Sequence, residues 1–152
     1  FAEVGDGAYI QVPFHAMCAG QHVHLGKDVY INFNCIFVDD ANIYIGNNTM
    51  ISPNVTITSA SHPVSPKLRC EGYGCNKPVY RGKNVWLASN VTVMPGVHIG
   101  DNSIIGAGSV VTKDIPANVI AMGTPAVIKR EITSDDDIYY DGGKLIEENI
   151  VR

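Results

Sequence analysis

The residue best suited to chemistry is a single histidine, His62, in the segment Ser59–Val64. Pro63 follows it directly, and the fixed φ of proline stiffens the backbone that presents the imidazole. Imidazole groups titrate at about pH 6.5 and can therefore accept a proton from a hydroxyl group near neutral pH. His62 is predicted to be a general base. The alternative interpretation is an exposed loop histidine without a catalytic role.

The segment around His62 interrupts a six-residue repeat that extends through most of the chain. The first residue of each hexad is aliphatic in ten of eleven cases, with Arg81 as the exception. The fourth residue is Gly, Asn or Asp in all eleven, and these types tolerate positive φ most readily. The hexads begin at Val4, Leu25, Ile31, Ile45, Ile51, Arg81, Leu87, Val93, Ile99, Ile105 and Val111. Their fourth residues are Gly7, Asp28, Asn34, Asn48, Asn54, Asn84, Asn90, Gly96, Asn102, Gly108 and Asp114.

This period predicts short strands that bend every six residues. An α-helix needs apolar residues three and four apart, and a β-meander places its turns about eight to twelve residues apart. Short strands separated by a bend every six residues instead build a three-sided prism of about 18 residues per coil. Parallel strands of successive coils then lie ~4.8 Å apart. The predicted fold is all-β, a parallel β-helix of hexapeptide repeats. Because Arg81 occupies an aliphatic position, its turn is expected to be irregular or its side chain to reach outward.

Interruptions of the repeat define the predicted organisation of the chain. The repeat breaks over Val12–His24 and lengthens to eight residues at Val38–Ala41, where a bulge is expected. A proline- and glycine-rich loop, residues 58–80, is predicted to be extruded, and the repeat resumes in phase after it. The prediction is a β-helix domain over residues 1–127 that carries this loop, followed by a more charged C-terminal tail over residues 128–152.

Composition and charge argue against several classes of protein. Of the 152 residues 45% are hydrophobic and 17% charged, which suits an ordered domain. The net charge of −4 predicts neither a nucleic-acid partner nor an anionic membrane, and no membrane span or signal peptide is visible. The four cysteines are expected to be reduced in a cytoplasmic protein, and Cys70 and Cys75 lack the second ligand pair of a zinc site. Because the chain opens at Phe1 within a repeat-like phrase, a preceding segment is expected to be missing.

Several phrases of the sequence together resemble the maltose/galactoside O-acetyltransferase family of hexapeptide-repeat acyltransferases. The phrases are Asn32–Asp40, Ser52–Val55, Ser61–Val64, Asn84–Leu87 and Pro95–Pro116. The resemblance implies a left-handed β-helix, and the handedness comes from the resemblance alone. It also implies a homotrimer with sites between subunits, acetyl-CoA as donor, and a hydroxyl acceptor that is usually a sugar. No metal is implied.

The same resemblance assigns the acceptor side of the site. His62 corresponds to the general base that takes the proton of the acceptor hydroxyl as it attacks a thioester carbonyl. Asn32 and Asp40 correspond to residues that contact the acceptor, and Tyr30 is expected to line the same cleft. Asn and Asp are also ordinary turn residues in such a coil.

On the donor side, the resemblance places Trp86 and Ser89 beside the thioester end of CoA, facing His62 across a subunit boundary. Ser89 could then donate a hydrogen bond to the developing oxyanion. The remaining matches lie along the pantetheine and phosphate arm: Ala107, Thr112, Lys113 and Arg130. Lys113 and Arg130 would offer charge-assisted contacts to phosphate. Considered alone, Trp86 could be an outward-facing residue of the coil, and Lys113 could be a solvent-exposed turn residue, each without a role in binding.

Other functions remain compatible with the scaffold. The acceptor could be serine, an antibiotic or a nucleotide-sugar, and a non-catalytic trimer is a further alternative. A zinc carbonic anhydrase is disfavoured, because the five histidines do not form the expected His-x4-His pair.

The maltose/galactoside O-acetyltransferase family usually has a helical N-terminal segment that contributes to the acceptor cleft, and this sequence does not contain it.

Overall fold

The computed structural model describes residues 1–140 and 143–145, and its regular secondary structure consists almost entirely of short strands joined by turns. A short helix, α1 (Pro66–Cys70), and a 3-10 helix (Ser134–Asp137) are also present. Neither helix in this described part of the chain has the length and apolar character needed to cross a membrane. In chain order the strands are β1 (Glu3–Val4), β2 (Tyr9–Ile10), β3 (Phe14–Ala16), β4 (Val23–Leu25), β5 (Tyr30–Ile31), β6 (Cys35–Val38), β7 (Ile43–Ile45), β8 (Met50–Ile51), β9 (Thr56–Thr58), β10 (Val79–Arg81), β11 (Trp86–Leu87), β12 (Thr92–Val93), β13 (His98–Ile99), β14 (Ile104–Ile105), β15 (Val110–Val111), β16 (Val119–Met122), β17 (Val127–Glu131), β18 (Tyr139–Tyr140) and β19 (Lys144–Leu145).

Three sheets of stacked parallel strands form the sides of a prism. The first sheet has the order β1-β4-β7-β10-β13, the second β2-β5-β8-β11-β14-β16, and the third β3-β6-β9-β12-β15. Each strand pairs with the strand one coil later; Trp86, for example, lies opposite Ile104. Stacked coils therefore satisfy the backbone groups of their neighbours. The parallel β-helix predicted from the hexads is confirmed.

The hexad positions have the predicted roles in this prism. Nine of the ten aliphatic first positions are buried, as at Leu25, Ile51 and Ile105, whereas Val4 in the first coil is 54% exposed. Each buried side chain of this kind stabilises the fold by about 1.5–3 kcal/mol. Ten of the eleven predicted corner residues have a positive φ, and Asp114 does not. Its carboxylate instead accepts a hydrogen bond from the backbone N–H of His98 at 2.8 Å.

Arg81 contradicts the expectation of an irregular turn or an outward side chain. Its strand β10 keeps the parallel register, with Arg81 opposite Ile45 and Ile99, and its side chain is only 4% exposed. Nη1 lies 3.4 Å from the carbonyl oxygen of Tyr80, whereas Nε and Nη2 have no partner among the described residues. Burial lowers the pKa of Arg81 to about 9, because the apolar interior disfavours the cation. At neutral pH the core therefore contains a positive charge.

The long loop and the C-terminal segment lie outside the regular coil. The loop joins β9 to β10, and β10 pairs directly with β7, so the coil continues across the insertion. After β16 the chain reverses, and β17 runs antiparallel beside it. Residues 141–142 and 146–152 of the predicted tail lie outside the described residues.

Candidate active site

The imidazole of His62 is exposed on the extruded loop and is oriented by a backbone carbonyl. Nδ1 lies 3.3 Å from the carbonyl oxygen of Tyr73. A carbonyl oxygen only accepts hydrogen bonds, so this contact requires the proton on Nδ1 and leaves a lone pair on Nε2. This tautomer is the one that lets Nε2 of His62 accept a proton from a bound hydroxyl group.

The backbone that follows His62 is held by an arginine from the helix of the loop. Helix α1 begins after Ser65, whose side chain caps its N-terminus. From this helix Arg69 Nη1 donates to the carbonyl oxygens of Pro63 and Val64, at 2.9 and 2.6 Å. Because the guanidinium group is planar and rigid, it fixes two consecutive peptide groups next to the imidazole.

The two ends of the loop also hydrogen-bond to each other. The N–H of Cys75 donates to the carbonyl of Ser61 at 2.7 Å, and the N–H of Lys77 donates to the carbonyl of Ser59 at 2.8 Å. These bonds close the loop directly above the coil. The base of the loop is therefore ordered by the chain itself.

A cavity of about 460 Å³, here called the His62 cavity, opens beside the imidazole. His62 and Thr112 both line it, together with Lys77, Met94 and Pro95. The predicted base and one predicted donor-binding residue therefore share a cavity. Lys77 adds a cationic side chain that the sequence did not single out.

A buried hydroxyl connects the base of the loop with the turn that carries Asp40. Ser59 is fully buried, and its Oγ donates to the carbonyl of Val38 at 2.9 Å and accepts from the N–H of Ala41 at 2.8 Å. These two bonds close the turn in which Asp40 is exposed to solvent. One serine thus fixes the position of Asp40 and anchors the loop of His62.

The other predicted acceptor residues lie on the second sheet. Tyr30, Asn32 and Trp86 line one cavity of about 300 Å³, here called the Trp86 cleft, together with Met50 and Ser52. Trp86 Nε1 donates to Ser52 Oγ at 3.0 Å, which fixes the indole ring. Asn32 Oδ1 accepts the next backbone N–H at 2.8 Å, so its NH₂ group is the part that can bind a ligand. Within residues 1–140 and 143–145, the Trp86 cleft and the His62 cavity share no lining residue.

The remaining donor residues flank the third sheet. Ser89 and Ala107 stack at the corner before this sheet, where the N–H of Gly108 donates to the carbonyl of Ser89 at 2.9 Å. Thr112 and Lys113 lie at the corner after the sheet, directly beyond β15, and both are exposed. The structure thus places two of these residues on each side of one face.

Arg130 has a partner within the chain. Its two terminal nitrogens each lie 2.7 Å from a carboxylate oxygen of Asp136, which also accepts the N–H of Thr133 at 2.9 Å. The hydrogen bonds from Arg130, and secondly that from Thr133, lower the pKa of Asp136 to about 2. The guanidinium that the resemblance assigns to a phosphate group is therefore already neutralised by a carboxylate.

Besides Lys77, three residues of this site were missed by sequence reasoning: Ser59, Arg69 and Tyr73. Tyr73 acts through its backbone carbonyl. Every residue type has this group, so the sequence gives no signal for it. Ser59 and Arg69 act through contacts that only the folded loop creates. The one available signal for Ser59 was its place in the same short phrase as His62.

Comparisons with known proteins agree with the β-helix fold. The Bacterial transferase hexapeptide (six repeats) family matches residues 82–113. The galactoside O-acetyltransferase of Lactococcus lactis subsp. lactis (strain IL1403) is 54% identical over 147 residues, which are 97% of this chain and 71% of that protein. A solved galactoside acetyltransferase in complex with coenzyme A is similar with a TM-score of 0.92 and 46% identity, over 96% of this chain and 72% of that one. A maltose O-acetyltransferase from Clostridium difficile 630 has a TM-score of 0.85 and 42% identity, over 88% of this chain and 71% of that one.

The coil, the inserted histidine loop and these similarities define an acyltransferase of the hexapeptide-repeat class. The chain belongs to the galactoside O-acetyltransferase family. The family resemblance predicted from the sequence is thereby confirmed.

Proposed function

We propose that this acyltransferase moves the acetyl group of acetyl-CoA to a hydroxyl group of a sugar, such as a galactoside, or of a similar small acceptor. The observation that carries the proposal is the hydrogen bond from Nδ1 of His62 to the carbonyl of Tyr73. It leaves an uncommitted lone pair on an exposed imidazole beside a cavity that can hold substrate.

His62 acts as the general base. Its Nε2 accepts the proton of the acceptor hydroxyl while the hydroxyl oxygen attacks the thioester carbonyl, and the imidazolium then gives that proton to the departing sulfur. The carbonyl of Tyr73 accepts from Nδ1–H throughout and stabilises the ring when it is charged. Ser89 donates a hydrogen bond to the oxyanion that forms at the attacked carbonyl.

The acceptor binds between a carboxylate, an amide and an aromatic ring. Asp40 is exposed and accepts hydrogen bonds from sugar hydroxyls, and the NH₂ group of Asn32 donates to a sugar oxygen. Tyr30 presents an apolar ring surface in the same cleft as Asn32. Such a set recognises a small polyol without requiring a net charge on it.

CoA binds along the third sheet. Trp86 packs against its thioester end, and Ala107 and Thr112 contact the pantetheine arm. Lys113 is exposed and supplies a cation to a phosphate group. Arg130 binds phosphate only after that phosphate replaces Asp136 as the partner of the guanidinium.

The complete site lies between subunits of a homotrimer. In one chain the His62 cavity and the Trp86 cleft are separate, within the residues that the structure describes. Tyr30, Met50 and Trp86 expose 38%, 49% and 42% of their surface on a single side of the prism. A side of this kind suits contact with another protein chain, and in a closed ring it meets the histidine loop of the neighbouring copy.

The test is the rate of CoA thiol release from acetyl-CoA with a panel of sugars, amino alcohols and nucleotide-sugars as acceptors. The parent protein is expected to be fastest with sugars. His62→Ala should lower kcat by about 10²- to 10⁴-fold, because the proton no longer has an acceptor at the attacking oxygen. Trimer and melting temperature should be unchanged, since His62 is exposed.

His98→Ala serves as the control, because His98 is an exposed histidine on β13 and lines neither candidate cavity. It should keep parental turnover. Unchanged kcat in His62→Ala would exclude His62 as the base. Faster release with an amine or a nucleotide-sugar than with any sugar would overturn the acceptor class.

A further inference from the structure

Three potential metal ligands meet where the segment between β3 and β4 reaches the turn after β6. The Sγ of Cys18, a ring nitrogen of His22 and a carboxylate oxygen of Asp39 lie within 4.8 Å of one another. Thiolate, imidazole and carboxylate are the three ligand types by which proteins bind Zn²⁺. None of these residues belongs to the acyl-transfer site proposed above.

The carboxylate of Asp39 has few partners for a buried charge. Asp39 is 0% exposed, and within the described part of the chain its oxygens accept from two groups, the backbone N–H of Cys18 at 2.8 Å and that of His22 at 3.4 Å. The ion pairs found among residues 1–140 and 143–145 do not include it. A buried carboxylate is costly unless a cation or a fuller set of donors compensates it. Each oxygen keeps a further lone pair for such a cation.

The imidazole of His22 is held in a tautomer that suits metal ligation. Its Nδ1 hydrogen-bonds to the backbone carbonyl of Asp39. Because a carbonyl only accepts, Nδ1 carries the proton and the lone pair lies on Nε2. Histidines that bind metals almost always donate their other N–H to a carbonyl or carboxylate in this way. Ligation through Nε2 keeps this tautomer, whereas ligation through Nδ1 would replace its hydrogen bond to the carbonyl of Asp39.

Cys18 is half-buried and is not in a disulfide, so its thiol can bind a metal ion as thiolate and release its proton to solvent. A sulfur and a nitrogen ligand favour Zn²⁺ over Mg²⁺ or Ca²⁺, which prefer oxygen. Three protein ligands leave the fourth tetrahedral position to water.

We propose that Cys18, His22 and Asp39 form a Zn²⁺ site, with water as the fourth ligand, that fixes the β3–β4 segment to the turn after β6. The ion would join two successive coils at the one place where the hexad is lengthened. Asp39 immediately precedes Asp40, so zinc would also order the turn that presents Asp40. Only this last consequence, an effect on acceptor binding, rests on the proposed function.

The test is metal binding by the protein without substrate. Metal-stripped protein is titrated with Zn²⁺ in competition with a chromophoric chelator, and with Co²⁺ as a probe whose visible spectrum reports thiolate ligation. One equivalent of Zn²⁺ should bind and raise the melting temperature. Cys18→Ser and His22→Gln should each weaken binding by about tenfold or more.

Cys70→Ser is the matched control, because Cys70 is an exposed cysteine outside the cluster. It should bind Zn²⁺ like the parent. The site is refuted if the stripped parent takes no Zn²⁺ from the chelator, or if Cys18→Ser binds as tightly as the parent. Zinc binding with no change in the KM for the acceptor would remove only the consequence for Asp40.

Discussion

Arg81 is the residue whose environment is least favourable in this structure. It occupies an inward position of the first sheet, between Ile45 and Ile99 of the neighbouring coils. Two of its three guanidinium nitrogens have no hydrogen-bond partner in the described part of the chain. Burying an unpaired charge costs several kcal/mol of folding free energy. Aliphatic neighbours do not offset this cost, because they offer neither a hydrogen bond nor an opposite charge. The fold therefore tolerates this residue and gains no stability from it.

Replacing Arg81 should accordingly stabilise the protein. Arg81→Ile restores the aliphatic pattern of the hexads and should raise the free energy of unfolding by about 1–4 kcal/mol. The pKa of Arg81 is about 9 in the folded state and lower than in the unfolded chain, so its cost is full below pH 9 and shrinks as the pH rises above it. Chemical denaturation followed by circular dichroism at pH 7 measures the difference.

Two further variants separate charge from shape. Arg81→Met keeps most of the length without the charge and should also stabilise. Lys83→Met lies in an exposed turn of the same coil and should leave the unfolding midpoint unchanged. Destabilisation by both Arg81 variants would mean that the guanidinium has a partner after all.

Among the elements, the extruded loop depends on few contacts of its own. Helix α1 has no buried residue, and the loop is held instead by hydrogen bonds at its base and by Arg69. Catalysis is sensitive to small displacements of a reacting group, whereas α1 contributes no buried side chain to the coil. The two properties can therefore be separated by mutation.

Removing the side chain of Arg69 should affect turnover alone. Arg69→Ala releases the carbonyls of Pro63 and Val64, which should lower kcat by about 10- to 100-fold through misplacement of His62. The KM for acetyl-CoA and the melting temperature should stay near the parental values. Steady-state kinetics and a thermal melt provide both readouts.

Lys67→Ala is the control on the same helix, because Lys67 is exposed and forms only a 4.0 Å surface ion pair with Glu71. It should have parental kcat. If Arg69→Ala and Lys67→Ala turn over equally fast, Arg69 does not position the imidazole.

Sequence predicted the scaffold better than the site, for a physical reason. The coil follows from single residue types, since an aliphatic side chain needs burial and a corner needs positive φ, as at Asn34 and Asn90. The site depends on contacts between distant segments, such as Tyr73 with His62 or Asp136 with Arg130. The type of a residue does not indicate which residue from a distant segment it will contact.

For the whole molecule, the separation of the two cavities predicts complementation between inactive chains. His62→Ala and Trp86→Ala should each be inactive as homotrimers. An equal mixture assembled from both should regain about a quarter of the parental sites, because in the proposed trimer an intact site draws its His62 and its Trp86 from two adjacent subunits at random. Thiol release by co-refolded protein, with mixed trimers verified by native mass spectrometry, is the measurement.

The control mixture combines His62→Ala with the double variant His62→Ala/Trp86→Ala. No chain in it carries His62, so it should stay inactive. An inactive test mixture in which mixed trimers are present would place His62 and Trp86 in the same chain's site.

The direct pairing of β7 with β10 has a consequence for how such enzymes diversify. The twenty residues between β9 and β10 leave the stack and return to it without altering the register of either neighbour. In evolutionary terms the exposed part of the loop beyond Ser59 is a cassette, since β10 pairs directly with β7 whatever the length of that part. A protein engineer could exchange this part between coils of this class to vary how His62 is presented, while the acceptor residues Tyr30, Asn32 and Asp40 on the coil are kept unchanged.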